Sequence, residues 1–294
     1  MVVLGIDFGF GFVKVASPKS EWKVRTLISE VPEGYEDEES IEHEGKFYLV
    51  GEQASRFNPM TISSVERLVE VAPILLKRVL REEERPEIIV TGLPPSYYER
   101  QREEFKKALE KVARCRVEVT RQGVGILFDA FEVDEDVRSA LVLDVGFNTL
   151  DWLYVVKDKK WRVVRYQTIP KMGVSAIVRA IKSQLEVSEP EVGKITLQEF
   201  PLSEGVLRLK GKEINFEKEK RDAIRSYVRN LVEELSYSLD DVLSRVDALV
   251  VGGGGAYFLP EEELRALHGR VIYPKEPYEF SQARGYKKIG EALL

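Results

Sequence analysis

The sequence predicts an α/β fold made of two related domains. Three observations carry this: short apolar strands alternate with amphipathic helices, a D-x-G-F turn occurs twice, and four consecutive glycines follow a later apolar strand. A length of 294 residues suits about two domains. With 44% hydrophobic and 32% charged residues the chain has globular composition, since disorder requires far fewer aliphatic and aromatic side chains.

Taken in order, residues 2–6 form an apolar, β-branched run that stops at Asp7-Phe8-Gly9-Phe10-Gly11 and resumes over 12–16, the pattern of a β-hairpin. Residues 22–28 and 46–50 read as strands on either side of the acidic stretch 36–44, a solvated loop or edge, so residues 20–64 suggest a small insert. Val65, Leu68, Val69, Ala72, Leu75, Leu76 and Val79 have helical spacing and predict a helix over 65–80. A buried strand over 88–91 ends at Gly92-Leu93-Pro94-Pro95, followed by an amphipathic helix over 97–113 and a strand over 116–120.

The second half restates the first. Residues 141–143 form an apolar strand, 144–149 a turn and 150–156 a returning strand. Asp7 and Asp144, Gly9 and Gly146, Phe10 and Phe147, and Lys14 and Asp151 are each separated by 137 residues. Internal duplication is the economical explanation, and a period this long means two domains, not a solenoid. Beyond it come a helix over 172–184, a β-rich insert within 186–216, a long helix over 221–244 and a buried strand over 248–251. A further helix is expected after Pro260. The expected domains are 1–138 and 139–279, with the closing helix within 280–294 returning to the first.

Lys and Arg total 44 and Asp and Glu 50, so the net charge is −6 and no overall field draws the protein onto DNA or anionic lipid. The single Cys115 cannot form an intrachain disulfide, the N-terminus lacks signal-peptide character, and no run of 18 apolar residues is present. A cytoplasmic location without membrane insertion is expected. Glu, Lys and Arg are abundant while Asn and Gln are scarce, a bias of heat-adapted proteins.

Phosphate binding requires several backbone N–H groups aimed at one point, which tight turns with few bulky side chains supply. A lone D-x-G turn is also ordinary turn chemistry. Two such turns on related domains can face each other across a cleft and enclose a polyphosphate. Asp7 and Asp144 end their strands where carboxylates suit a hydrated Mg²⁺. Lys14, on the return strand, either reaches the phosphates as a point charge or is a solvated strand lysine; Asp151 takes its place in the second hairpin, as polar support of the turn or of metal-bound water. Gly252, Gly253, Gly254 and Gly255 are costly in backbone entropy, so they mark either a close neighbour such as a nucleotide or a flexible turn.

With these motifs in this order, the sequence resembles the superfamily of actin, heat-shock chaperone and sugar-kinase ATPases. Within it, the sequence is similar to the ParM-type bacterial actins of plasmid segregation, notably at residues 93–100, 139–152 and 171–175. The resemblance implies an actin-like fold of two duplicated ribonuclease-H-like domains flanking a nucleotide cleft. It implies ATP or ADP with Mg²⁺ as cofactors, GTP being left open. Gly9, Phe10, Gly11, Phe12 and Lys14 become the first phosphate loop, and Gly146, Phe147, Asn148, Thr149 and Asp151 the second. Gly252 to Gly255 become the adenosine loop, Gly173 lies near ribose and phosphates, and Lys218 and Arg221 flank base or ribose. Asp7 and Asp144 hold the metal through water. Gln122 falls where the family places a water-orienting side chain, against the alternative of an exposed loop glutamine. Phe10, Phe12, Phe147 and Asn148 replace the Gly, Ser or Thr frequent in relatives, so binding falls to backbone amides.

His43 and His268 lack ligand-like spacing, Cys115 has no recognisable catalytic partner, and Trp22, Trp152 and Trp161 read as packing. The expected function is an ATP-dependent filament that hydrolyses ATP to control its own stability and segregates plasmid or other DNA through an adaptor bound to a centromere-like site. Its partners are then other copies of itself and the adaptor, with no direct DNA contact. A small-molecule kinase of the same superfamily is the alternative, although no general-base aspartate stands out; a nonpolymerising scaffold of pilus or division type is a third.

Overall fold

The computed structural model describes residues 1–131 and 136–294. It opens with an antiparallel hairpin, β1 (Val3–Phe8) and β2 (Phe12–Ala16), to which β3 (Glu21–Arg25) adds antiparallel on the outside. β4 (Ile28–Glu30), β5 (Ile41–His43) and β6 (Lys46–Val50) form a separate sheet in the order β4-β6-β5. Residues 22–28 are therefore two strands in two sheets, and the insert begins after β3. The acidic stretch contains β5, whose Ile41 is buried beneath its charged neighbours.

α1 (Val65–Glu82) buries the expected apolar positions except the half-buried Val69, together with Val71 and Ile74, and the Ser64 hydroxyl caps it by accepting from the Arg67 amide at 3.2 Å. β7 (Ile88–Leu93), α2 (Pro95–Ala113) and β8 (Arg116–Arg121) then form a parallel crossover, completing a sheet ordered β3-β2-β1-β7-β8. α3 (Val124–Ala130) follows.

The second sheet repeats this plan with β9 (Ser139–Val145), β10 (Thr149–Lys157) and β11 (Trp161–Pro170). α4 (Ser175–Leu185), the β12 (Val206–Leu209) and β13 (Lys212–Asn215) hairpin, α5 (Glu217–Ser238), α6 (Asp240–Leu243) and β14 (Ala248–Gly252) come next. α7 (Glu261–Leu264), β15 (Val271–Ile272) and α8 (Ser281–Glu291) close the chain. The sheet order is β11-β10-β9-β14-β15, the first sheet's plan strand for strand. Register agrees as well: Asp7 pairs with Lys14 and Asp144 with Asp151, and the turns are closed by Gly9 N to Phe12 O at 3.1 Å and Gly146 N to Thr149 O at 3.0 Å. The 137-residue spacing is thus a repeat of strand register as well as of sequence.

α8 lies against β1, β7 and α3, on the first sheet. Three glycines permit this approach: a Cβ on Gly5 would sit 1.9 Å from Ala283 O, one on Gly285 1.8 Å from Gly125 O, and one on Gly290 2.5 Å from Val3. A buried charge cluster adds direction, since Asp129 of α3 meets Arg284 at 2.8 Å and Lys288 at 3.2 Å, while Arg284 also meets Glu21 of β3 at 3.1 Å. Gly285→Val drives a side chain into backbone that cannot yield. It is expected to cost about 3 kcal/mol or more of stability by chemical denaturation, whereas Gly269→Ala, in open space, costs less than about 1 kcal/mol.

Candidate nucleotide cleft

Both hairpin turns spend their carbonyls on the protein and keep amides in reserve. In the first, Gly11 O accepts from Thr26 N at 3.0 Å and Gly9 O from the Thr26 hydroxyl at 2.6 Å. In the second, Gly146 O accepts from Val174 N at 3.0 Å and Phe147 O from Ser175 N at 2.7 Å, which docks the start of α4 on the turn. The amides of Phe10, Gly11, Phe147 and Asn148 have no acceptor among the described residues. Such amides form anion-binding concavities.

One cavity of about 590 Å³ is lined by both turns, by Gly253 to Gly255 and by Gln122. Asp7 and Lys14 pair at 2.9 Å, and Gln122 Nε2 donates to the other Asp7 oxygen at 3.3 Å. Asp144 and Asp151 add two more buried carboxylates. Burial, with help from Asp151 and Asp7, pushes Asp144 up to about 8. Burial likewise raises Asp151 to about 6, with the Thr168 and Thr149 hydroxyls offsetting part of the rise. Asp151 Oδ2 accepts from Thr149 at 3.0 Å, while Oδ1 is buried without a hydrogen bond of normal geometry.

Two family models divide the chain between them: actin-like proteins, N-terminal domain, over residues 5–133, and archaeal actin homologue MreB-like, C-terminal, over 142–265. The chain belongs to the actin-like ATPase superfamily. This actin-like protein is similar in structure to an archaeal actin homologue, with TM-score 0.81, 19% identity and 99% and 100% of the two chains covered; that homologue has also been solved in complex with ADP. It is similar to the ParM of a 15-stranded filament from Clostridium botulinum, with TM-score 0.75, 18% identity and 99% of each chain covered. It is also similar to MamK of a double helical filament, with TM-score 0.67, 17% identity and 99% and 98% covered. At such identities the likeness speaks to the fold. No curated protein sequence matches the chain.

The structure sorts the site residues that the sequence suggested for this actin-like protein. Gly9, Phe10, Gly11, Phe12, Lys14, Gly146, Phe147, Asn148, Thr149, Asp7, Asp144, Asp151, Gln122 and Gly253 to Gly255 all line the cavity. Gly173 and Gly252 stand behind it. A Cβ on Gly173 would meet Gly146 O at 2.4 Å, and one on Gly252 would meet Ile126 at 2.6 Å, so each serves packing. Gly253 has φ of +81° and a Cβ there would lie 2.4 Å from Asp144 Oδ1, so glycine is required both by conformation and by space. Lys218 and Arg221 are exposed and do not line the cavity. Lys220 takes that position, because at about 100° per residue the three cannot share one face of α5.

Two contributors escaped the sequence reading. Gln282 of α8 is buried and donates from Nε2 to Asp144 Oδ2 at 2.7 Å, while its Oε1 accepts from Ile126 N at 3.3 Å. Nothing in a helix-spaced Gln announces this. Glu279 lines the rim, pairs with Lys23 at 3.1 Å and accepts from the Tyr257 hydroxyl at 3.0 Å. Lys23 also lies 5.0 Å over the Phe12 ring, a cation–π contact that gives the phenylalanine of the first turn a structural role.

The donor set fits a hydrated divalent cation carrying polyphosphate. Asp7 and Asp144 present carboxylates from opposite hairpins, and Asp151 has a buried oxygen without a hydrogen bond of normal geometry. Among the described residues no three His, Cys, Asp or Glu side chains are grouped for direct chelation.

The raised carboxyl values fix a pH dependence for the ligand-free protein. A carboxyl with a folded pKa above its unfolded value of 3.8 favours the fold in its protonated form. Stability from this source is full below 3.8 and is lost as pH rises towards about 8. In chelator and without nucleotide, urea titrations should show stability falling across that window. Asp144→Asn should flatten the fall and stabilise the protein at its alkaline end, by a few kcal/mol at roughly 1.4 kcal/mol per pKa unit.

Proposed function

We propose that this actin-like protein binds ATP with Mg²⁺ between its two hairpin turns, assembles into filaments in that state, and hydrolyses the nucleotide to limit filament lifetime. The observation that carries the reading is the pair of symmetry-related turns with uncommitted amides lining one cavity, with Asp7 and Asp144 on opposite hairpins. The ADP complex of the archaeal homologue and the ParM and MamK filaments support it.

In this reading the amides of both turns and Lys14 hold the phosphates, with Asp7 and Asp144 facing the metal's water shell. A bound Mg²⁺ neutralises phosphate charge and orients the terminal group. Gln122, an amide that cannot abstract a proton, holds the attacking water in line. Gly253 to Gly255 and Lys220 border the nucleoside. Because each domain contributes one turn, bound triphosphate favours the closed relation of the domains, and loss of the γ-phosphate removes contacts made only there. The net charge of −6 suits engagement of plasmid or other DNA through an adaptor on a centromere-like site, not through direct contact.

Light scattering and electron microscopy with ATP, ADP and no nucleotide test this directly. Filaments with ATP are expected; flat scattering together with phosphorylation of an added sugar would identify a kinase instead. Gln122→Ala should slow phosphate release roughly 100-fold and lengthen filament lifetime while leaving assembly intact. Gly253→Val should abolish nucleotide binding, measured by fluorescence of a labelled ATP analogue, because its side chain would occupy the space beside Asp144.

A further inference from the structure

A seam between the domains runs behind the candidate water-orienting residue. Arg121 ends β8, and Gln122 follows with its amide bound to Leu93 O at 2.8 Å, continuing the ladder between β7 and β8. Gln122, in the turn after the strand, reaches into the cavity to Asp7, whereas Arg121, at the strand end, points out of it. Its guanidinium lies 4.2 Å from the ring centre of Tyr98 on α2 and 5.0 Å from that of Tyr166 on β11. Glu99 pairs with it, and its Nε is buried without a hydrogen bond. Planar guanidinium stacks on aromatic faces in a way that ammonium cannot.

Tyr98 and Arg121 belong to the first sheet's domain, Tyr166 to the second's. The seam has a second tie beside this one: Thr168 N donates to the Ser96 hydroxyl at 3.1 Å, and Ser96 N donates to the Thr168 hydroxyl at 3.4 Å. Thr168 pairs across β10 with Asp151, a lining residue of the cavity. The stack closes only where β11 and α2 are held in this relation, and the strand end it clamps is the one that aims Gln122.

Resting on the nucleotide-hydrolysing reading above, we infer that Arg121 is a positioning residue: clamped between Tyr98 and Tyr166, it sets the placement of Gln122 according to how the two domains are disposed. Arg121 touches no substrate. It acts through its neighbour, and the domain arrangement is thereby read at the point where water is oriented.

The test separates positioning from mere structural support. Arg121→Met and Tyr166→Ala are each expected to lower kcat for ATP hydrolysis about tenfold with the nucleotide Kd held within about twofold. Tyr166→Phe, which keeps the ring, recovers the rate lost in Tyr166→Ala. In a Gln122→Ala background Arg121→Met adds no further loss, because both act through one side chain. A crystal structure of nucleotide-free Arg121→Met is expected to show the Gln122 amide withdrawn from Asp7. An unchanged kcat in Arg121→Met, the same tenfold loss persisting in Gln122→Ala, or Gln122 still beside Asp7 in that crystal overturns the inference. Should the unaltered protein hydrolyse no ATP, the functional reading falls, and the crystal structure still decides whether Arg121 places Gln122.

Discussion

Three buried carboxylates, those of Asp7, Asp144 and Asp151, line one cavity, the first paired with the Lys14 ammonium, and much of the site is arranged around holding them out of water. Removing charges from water is expensive unless they are paired and hydrogen-bonded. Asp7 is fully engaged by Lys14 and Gln122, Asp144 is held by Gln282, and Asp151 leans on Thr149 with one oxygen left over. Burial is the main cause that pushes Asp144 and Asp151 upward, with neighbouring carboxylates adding to it. In the proposed reading, bound polyphosphate supplies acceptors for the turn amides and its Mg²⁺ faces the carboxylates of Asp7 and Asp144.

Duplication explains how two distant segments came to share this burden. The two sheets have the same strand order and the two turns the same closing hydrogen bond. They have diverged at one telling position: the residue opposite the strand-end aspartate is Lys14 in the first hairpin and Asp151 in the second. One copy neutralises its carboxylate locally and the other doubles the charge, so the pair of turns is electrostatically unequal although geometrically alike. The inserts differ more, a three-stranded sheet in one half and the β12–β13 hairpin in the other, since neither contributes a strand to the main sheets.

Legibility followed how local each signal was. The hairpins were readable because two-residue alternation and the D-x-G turn lie within a few residues of each other, and the helix over α1 because its apolar stripe is continuous. β11 went unseen as an edge strand with mostly exposed side chains, so it lacks the buried alternation that marks a strand. β15 is only two residues long. The expected helix over 221–244 starts earlier, at Glu217, and breaks at Leu239, where burial of Leu235, Leu239 and Leu243 in one core outweighs continuity. Among the site residues, the displacement of Lys218 and Arg221 by Lys220 is a question of helical phase, which a shift of one or two residues in an element's start alters.

The chain's sequence by itself determined the two hairpins, their common register, the strand-end aspartates and the glycine loop, because each depends on neighbours near in sequence and on a repeat that can be counted. Tertiary structure alone decided that Gln282 would reach Asp144 from the C-terminal helix, that Gly173 and Gly252 would serve packing, and that Arg121 would sit between rings from two domains. Those contacts join residues far apart along the chain, with |i−j| of 138 for Gln282 and Asp144. Their formation depends on where whole sheets and helices come to rest, and no local pattern encodes that.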